Sequence, residues 1–240
     1  EALRISELMM DLRYCDGLFL VGDLRETPED LSLLERIGWS IPLVLLCRGS
    51  SQLVGNYPSI STDNRAGSFL ALDYLTRLGH RRIAFLGGGR PGDLSERQQA
   101  YTEYMQQRSA GFPAPDIQPA DNSLEGGYLG MRALLATPDR PTAVFASDDN
   151  MAIGALRATF ENGVRVPQDI SLIGFDDIRM ASYTTPTLTT VRQPLEALSH
   201  KAVELLDCMV KNNTPCIQAG QHVSLVPELI VRDSCSALRA

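Results

Sequence analysis

Short, continuous apolar runs alternate with amphipathic stretches along most of this 240-residue chain. The amphipathic stretches, such as residues 65–78 and 149–160, place apolar side chains at i, i+3 and i+4 spacing, which predicts helices. Parallel strands that are covered on both faces read as continuous apolar runs, and helices form the crossovers between them. The alternation therefore predicts a doubly wound α/β protein. The predicted strands are residues 17–22, 42–46, 58–62, 83–86, 143–146 and 172–175, and the other predicted helices are residues 28–37, 95–105, 128–135 and 195–209.

The pattern changes after residue 175. Residues 178–190 predict an extended connection, and residues 223–231 predict one last extended segment. A chain of 240 residues that is 44% hydrophobic buries one large core or two smaller ones. A single compact domain and a two-lobed protein therefore both stay open at this point.

The charge balance bears on possible partners. The net charge is -7, whereas proteins that bind DNA specifically usually carry a basic stripe that displaces counterions from phosphate. We therefore expect these residues not to bind nucleic acid themselves. No apolar run approaches the ~20 residues of a membrane helix, and the first residues do not read as a signal peptide, so we expect no membrane partner.

Motifs for metal or catalytic chemistry are missing from the sequence. The five cysteines are scattered without a CxxC pair, which predicts neither a zinc site nor a disulfide framework and favours a reducing cytoplasm. The three histidines lack ligand spacing, and no nucleophile elbow, P-loop or HExxH motif occurs. Residues 87–92 fit G-x-G-x-x-G, but the required helix and acidic residue do not follow, so a flexible rim is favoured over a dinucleotide site. We expect no enzyme, no metal and no cofactor.

Six phrases in register carry a family resemblance. They are TDNRAG at residues 62–67, LGHRRIA at 78–84, SDDNMAIGA at 147–155, VPQDISLIGFDD at 166–177, PTLTTV at 186–191 and PELIVR at 227–232. In this order and at this spacing, they resemble the effector-binding core of the lactose/galactose-repressor (LacI/GalR) family of transcriptional regulators. Residues 1–61 fit the same pattern less distinctively.

The resemblance implies a periplasmic-binding-protein-like fold, with two lobes that are each a parallel sheet flanked by helices. Three crossovers are expected near residues 79–81, 190–193 and 227. This mapping assigns residues 1–79 and 195–227 to the N-terminal lobe, and residues 80–194 and 228–240 to the C-terminal lobe. The family's helix-turn-helix and the opening strand–helix–strand of its first lobe are not recognised here, so we expect the chain to be a fragment.

Three aspartates that follow strands are candidates for contacting a ligand. Asp63, Asp148 and Asp176 should point to one cleft, because ligands of α/β sheets bind outside the carboxyl ends of the strands. Carboxylates there suit hydroxyl-rich ligands, since each accepts several hydrogen bonds. The alternative is that such residues cap helices. We favour the cap for Asp149 and ligand contact for Asp176, and we expect Asn64 to join Asp63 at the ligand.

Arg97 matches an effector-binding arginine of the family, in an Arg-x-x-Gly-aromatic motif in which Ala100 replaces the glycine. Its alternative role is that of a solvated arginine paired with Glu96 or Glu103. Gln193 matches a family position near a crossover. Where sugar-binding relatives often stack an aromatic ring, this chain has Asn122 and Leu195. That difference weakens the case for a simple pyranose, because the apolar face of a sugar ring usually packs on an aromatic side chain.

The favoured hypothesis is an allosteric repressor that binds a small, sugar-like effector, forms a homodimer and reads operator DNA through a helix-turn-helix outside these residues. The effector would change the angle between the lobes, which requires different affinities for two arrangements. The main alternative is a periplasmic solute-binding protein of a transporter. An α/β enzyme is the third class, and it lacks an assembled catalytic set.

Overall fold

The computed structural model describes residues 14–21, 32, 36–38, 41–46, 57–88, 92–212 and 222–238. The chain divides into two compact units: Glu1–Thr62 with Pro194–Leu225, and Asp63–Gln193 with Val226–Ala240. Strands alternate with helices in both units, and the predicted α/β class is confirmed. The predicted helix at residues 28–37 lies almost entirely outside the described residues.

The secondary-structure elements are numbered here in chain order. The strands are β1 (Leu18–Val21), β2 (Leu43–Leu46), β3 (Ser59–Thr62), β4 (Ile83–Leu86), β5 (Asp116–Gln118), β6 (Ala143–Ala146), β7 (Ser171–Asp176), β8 (Thr189–Arg192), β9 (His222–Leu225) and β10 (Glu228–Ile230). The helices are α1 (Asn64–Arg77), α2 (Asp93–Gln107), α3 (Leu124–Leu135), α4 (Asp149–Glu161) and α5 (Leu195–Asn212), with a 3-10 turn at Arg179–Ser182.

The first unit is built on a parallel sheet whose described strands run in the order β1-β2-β3-β9. Helix α5 packs against β2 and β3. Its buried residues Leu198, Ala202 and Leu205 recur at helical spacing and meet Val44 and Ile60 of the sheet. Cys208 in α5 is disulfide-bonded, so the expectation of reduced cysteines is wrong at that residue.

The second unit contains a sheet with the order β10-β8-β7-β6-β4-β5, which is parallel except for the antiparallel β10–β8 pair. Alternate residues of its central strands enter two different cores. In β4, for example, Ala84 and Leu86 pack with α3 and α4, whereas Ile83 and Phe85 pack with α1 and α2. Burial on both faces explains why these strands read as continuous apolar runs.

Helix α1 belongs to the second unit, which corrects the expectation that residues 1–79 lie together in the first lobe. Its apolar stripe of Ala71, Leu72 and Leu75 is buried in the same core as Ile83 and Phe85. The periodicity of α1 predicts a buried face but does not say which sheet covers that face. The first boundary therefore falls between residues 62 and 63, and the others fall at 193/194 and 225/226.

Two further differences concern short strands. Strand β5 was not predicted, because three residues with a mixed polar pattern give little signal. The predicted extended segment at residues 223–231 is divided into β9 and β10, which belong to different sheets. The division falls at Val226 and Pro227, where the chain passes from one unit to the other.

Candidate functional site

Polar side chains gather at the carboxyl edge of the second sheet, where β6 and β7 end. Arg97 in α2 donates from Nε to Asn64 Oδ1 at 2.9 Å and from Nη1 to the carbonyl oxygen of Ser147 at 2.8 Å. Its Nη2 lies 3.1 Å from Asp176 Oδ1. One guanidinium therefore connects the start of α1, the end of β6 and the end of β7.

The guanidinium of Arg97 is buried, with only 2% of the residue exposed. It lies over the ring of Phe175, with Cζ 3.7 Å from the ring centroid, which adds a cation–π contact. Glu103 pairs instead with Arg65, at 2.6 Å. The alternative of a solvated surface arginine is therefore wrong, whereas contact between Arg97 and an effector stays a prediction.

Asn64 is oriented from both ends of its amide. Its Oδ1 accepts from Arg97, and its Nδ2 donates to Asp93 Oδ1 and Glu96 Oε2, each at 2.9 Å. Asp93 and Glu96 occupy the first turn of α2, where acidic side chains also complement the helix dipole. Neither Asp93 nor Glu96 was predicted from the sequence to belong to this cluster, although their spacing of about one helical turn, beside Arg97, was a usable signal.

Asp176 lies on an unusual stretch of backbone. Its φ is 108° and that of Asp177 is 53°, positive values that residues other than glycine rarely adopt. Oδ1 of Asp176 accepts from Gln193 Nε2 at 2.7 Å and pairs with Arg97, and 27% of the side chain is exposed. Within the described chain both polar partners of Asp176 meet Oδ1. The other oxygen is thus available to accept hydrogen bonds from a ligand.

Two of the candidate aspartates cap helices. Asp63 Oδ1 accepts from the amide of Ala66 at 2.8 Å at the start of α1, and Asp148 Oδ1 accepts from the amide of Met151 at 2.7 Å at the start of α4. Asp148 is also buried, and burial raises its pKa, to which the nearby charge of Asp176 adds. Its place in the cluster is therefore electrostatic as well as structural.

Asp149 is not the cap, which corrects the prediction for that residue. Its Oδ1 accepts from the hydroxyl of Thr190 at 2.6 Å, and its Oδ2 accepts from the amide of Ile178 at 2.9 Å. The carboxyl is completely buried, and burial raises its pKa to about 7. The capping motif has two adjacent aspartates, and only the backbone geometry decides which of them turns back onto the helix.

Asp177, the residue after Asp176, pairs with two arginines. Arg192 Nε and Arg232 Nη2 each lie 2.6 Å from its carboxylate. Burial alone would raise the pKa of Asp177, but the hydrogen bonds from Arg192 and Arg232 outweigh burial and lower it. The turn after β7 is thereby fastened to β8 and to the segment that follows β10.

The structure does not bring Asn122 to this cluster. Asn122 is exposed before α3 and makes no hydrogen bond to the other candidates in the part of the chain that the structure describes, so its contact with an effector stays a prediction. Leu195, the first residue of α5, belongs to the first unit and is exposed. Gln193, in contrast, contacts Asp176 directly.

The glycine-rich run borders the cluster. A Cβ at Gly87 would lie 2.5 Å from Ser147 Cβ, so this position requires glycine. Residues 89–91 lie outside the described residues. Among the side chains that the structure describes, no group of His, Cys, Asp and Glu could hold a metal ion. The described helices include none that is long and apolar enough to cross a membrane.

Comparisons with known proteins identify the family. The periplasmic binding protein-like domain family matches residues 72–235. The HTH-type transcriptional repressor PurR of Escherichia coli O139:H28 (strain E24377A / ETEC) is 35% identical over 98% of this chain and 67% of PurR.

Solved structures agree with that assignment. The Lac repressor dimer bound to operator and the anti-inducer ONPF matches with a TM-score of 0.81 and 27% identity, over 97% of this chain and 77% of that chain. A LacI family regulator from Enterococcus faecium with bound ribose matches with a TM-score of 0.82 and 27% identity, over 98% of this chain and 84% of that chain. The regulator CelR in complex with cellobiose matches with a TM-score of 0.84 and 30% identity, over 98% of this chain and 71% of that chain. These relatives are regulators rather than transport proteins, and the chain belongs to the LacI/GalR family of transcriptional regulators as an effector-binding core.

Proposed function

We propose that this regulator binds a small, hydroxyl-rich effector at the carboxyl edge of its second sheet. The observation that carries the proposal is the carboxylate of Asp176, which is oriented by Arg97 and Gln193 on a backbone of positive φ and keeps one oxygen accessible. An oriented carboxylate suits paired hydroxyl donors. Strained, pre-organised backbone is typical of functional sites.

Neighbouring groups support the same site. Ser147 Oγ is buried and has no hydrogen-bond partner among the described residues, which is unusual for a buried hydroxyl and would be relieved by a ligand atom. Asp63 and Asn64 begin α1 beside Arg97, and Asp148 adds negative charge nearby. We expect Asp63, Asn64, Arg97, Asn122, Asp148, Asp176 and Gln193 to contact or support the effector.

The effector class follows from the acceptors at the site and from the relatives, of which one is described with bound ribose and another with cellobiose. We propose a sugar or sugar derivative. A thermal-shift panel of pentoses, hexoses and disaccharides, with native mass spectrometry of protein purified from its host, tests this. We expect one compound to raise the melting temperature of the wild-type protein and not of Asp176→Asn. An equal rise in both proteins would contradict the proposed site.

Operator binding is proposed for the whole regulator, as in the relative described as bound to operator. We assign DNA reading to a helix-turn-helix outside residues 1–240, because these residues carry a net charge of -7. A gel shift at physiological salt with promoter DNA of its own operon should show no selective retention by residues 1–240. Selective retention would contradict this assignment.

A regulator of this kind acts in the cytoplasm and needs no enzymatic activity.

We also propose a homodimer, and the groove between α3 and α4 is a suitable surface for it. The groove has a volume of about 540 Å³. It is lined by Leu124, Tyr128, Ile153 and Gly154 and by the charged residues Glu125, Arg157 and Glu161. Leu124 is 53% exposed, so a second copy of the chain that covered the groove would remove this apolar side chain from water. The related Lac repressor is described as a dimer.

Light scattering of matched variants tests the dimer. Leu124→Asp should shift the protein to monomer, because it would bury a charge in the groove. Leu129→Asp is the control, since Leu129 lies on the same helix with the same 53% exposure but does not line the groove. A dimer that survives Leu124→Asp, or a wild-type protein that is monomeric at micromolar concentration, would contradict the proposal.

A further inference from the structure

The turn formed by residues 176–178 is fastened to β8 at each of its three residues. Asp176 accepts from Gln193, just beyond β8, at 2.7 Å, and Asp177 pairs with Arg192 at 2.6 Å. The amide of Ile178 reaches β8 through the side chain of Asp149, which also accepts from Thr190. The segment that presents Asp176 is therefore fixed by carboxylates.

The carboxyl of Asp149 is buried, hydrogen-bonded and closely packed. It is completely buried at the start of α4 and joins that helix to the turn and to β8. A Cβ built at Gly174 would lie 2.2 Å from Asp149 Oδ1, so the neighbouring strand approaches the carboxyl as closely as glycine permits. In this closely packed position both oxygens of Asp149 accept hydrogen bonds.

We propose that Asp149 is a positioning residue of the effector site: its buried carboxylate fixes the turn that presents Asp176, and protonation of that carboxylate weakens effector binding. The inference rests on the proposed binding of an effector at Asp176. It concerns the regulation of that site, because Asp149 does not contact the effector itself. A proton on Asp149 would act on the effector contact of Asp176 through the turn that carries Asp176.

Protonation would change the two hydrogen bonds of Asp149 in different ways. The ionised carboxylate accepts from both Thr190 and Ile178. A protonated carboxyl must donate from one oxygen, so the Thr190 hydroxyl would have to accept there, and the bond from Ile178 would lose its charge assistance. Charge-assisted hydrogen bonds are about twice as strong as neutral ones. The turn would consequently be held less firmly at acidic pH.

Several charged groups surround Asp149, and they affect its titration. Burial is the main cause that raises its pKa to about 7, and the hydrogen bonds from Thr190 and Ile178 oppose it, while the charges of Asp176 and Asp177 at the end of β7 add to it. Of the arginines that face the turn, Arg192 on β8 and Arg232 after β10 pair with Asp177, and Arg97 on α2 pairs with Asp176. Asp148, the N-cap of α4, is a further carboxylate, and its Oδ1 accepts from the amide of Met151 in that helix. Both protonation states of Asp149 are thus populated near neutral pH.

The first experiment follows the amide of Ile178 by nuclear magnetic resonance between about pH 5.5 and 8.5. In the wild-type protein this amide shift should titrate with a midpoint near pH 7, because its acceptor changes charge. Asp149→Asn, which is isosteric with the protonated form, should remove the titration. Asp139→Asn, a change of an exposed aspartate, should leave it unchanged. A wild-type amide that does not titrate in this range, or one that still titrates in Asp149→Asn, would overturn the proposal.

A second variant protects the test if Asp149→Asn fails to fold. Thr190→Val keeps the shape of the side chain and removes the hydroxyl that lowers the pKa of Asp149. The midpoint at Ile178 should then move to higher pH. An unchanged midpoint would contradict the role of the Thr190–Asp149–Ile178 connection.

The second experiment is calorimetric titration of D-ribose at about pH 6 and pH 8. Wild-type protein should bind about 5-fold more tightly at the higher pH, the factor expected for roughly one neutral hydrogen bond. Asp149→Asn should show one affinity at both pH values, and an equal pH dependence in this variant would overturn the inference. Failure of ribose to bind wild-type protein would count only against ribose as the effector, and the compound found in the sugar panel would then be titrated in the same way. The amide titration tests the Thr190–Asp149–Ile178 connection without an effector.

Discussion

The two edges of the second sheet are built from different chemistry. At the carboxyl edge, Arg97 and Asp176 are charged, Asp176 is partly exposed, and the backbone at Asp176 adopts a positive φ. At the amino edge, His80 is buried and neutral hydrogen bonds surround it. Among the described residues, this sheet thus has a partly exposed carboxylate and positive-φ backbone at its carboxyl edge, whereas neutral groups bond to one another at its amino edge. This contrast supports the proposal that the effector binds at the carboxyl edge.

The amino edge shows what a purely structural polar cluster looks like. His80 Nδ1 lies 3.0 Å from Thr142 Oγ1, and Nε2 lies 3.0 Å from both Ser171 Oγ and the carbonyl oxygen of Ser236. A carbonyl only accepts, which assigns the proton to Nε2. Burial lowers the pKa of His80, so the imidazole stays neutral and connects the segment around Ser236 to the sheet.

The largest expected effect comes from removing the buried charge at the carboxyl edge. Arg97→Met fills the volume of the side chain but leaves Asn64 Oδ1 and the Ser147 carbonyl without their donor, and it leaves Asp176 with Gln193 but without its counter-charge. The free energy of unfolding should fall by about 2–4 kcal/mol, because a partner of a buried ion pair is left behind. Urea denaturation measures the loss, and Arg65→Met, at the exposed pair with Glu103, is the control that should show little change. Equal losses in the two variants would contradict the buried role of Arg97.

Asp176→Asn separates ligand contact from structural support. Asparagine can still accept from Gln193 and Arg97, but it removes the charge that pairs with the buried guanidinium, so the melting temperature should fall. Effector affinity should also fall, by about 10- to 150-fold, with the loss of a charged acceptor. Calorimetry of the compound found in the sugar panel, beside a melting curve, gives both quantities. A lower melting temperature at unchanged affinity would mean that Asp176 is structural.

His80→Ala makes the converse test at the amino edge. It should lower the free energy of unfolding by about 1–3 kcal/mol, because it leaves Ser171 and the Ser236 carbonyl without their partner. Effector affinity should stay within about 2-fold of wild type, since distant sites act independently. A large loss of affinity in this variant would remove the distinction between the two edges.

The pH dependence of stability gives the smallest signal. The lowered pKa of His80 means that the unfolded chain binds a proton more readily than the folded one, so stability should decline as pH falls below about 6.5. The slope is at most about 1.4 kcal/mol per pH unit. Asp149, whose pKa is raised to about 7, acts with the opposite sign, because its folded form holds the proton and loses that advantage as pH rises from about 4 to 7.

Comparing wild type with His80→Ala cancels the contribution of Asp149. The difference between the two unfolding free energies should shrink as pH falls below about 6.5. A difference that does not change with pH would show that His80 is not held neutral.

Much of the fold was predictable because continuous apolar runs and helical periodicity are strong signals. Strands β4 and β6 coincide with their predicted ranges, 83–86 and 143–146. The unit to which α1 belongs was not predictable. The spacing of Leu72 and Leu75 predicts that one face of the helix is buried, but it does not say which sheet packs against that face. Strand β5 was too short and too polar to detect.

The main residues of the candidate site were predictable from the sequence, but the hydrogen bonds between them were not. Sheet-end reasoning pointed to Asp176, and matches to single family positions pointed to Arg97 and Gln193. The structure brings these three residues together. The exchange of roles between Asp148 and Asp149 depends on backbone angles at the start of α4, which two adjacent aspartates do not reveal.

The most direct test of effector binding at the carboxyl edge is to map the amide shifts of the wild-type protein by nuclear magnetic resonance while the compound found in the sugar panel is added. The largest changes should occur at Arg97, Asp148, Asp176 and Gln193, with none at His80 or Ser171. Changes that concentrate at the amino edge of the sheet, or in the groove between α3 and α4, would contradict it.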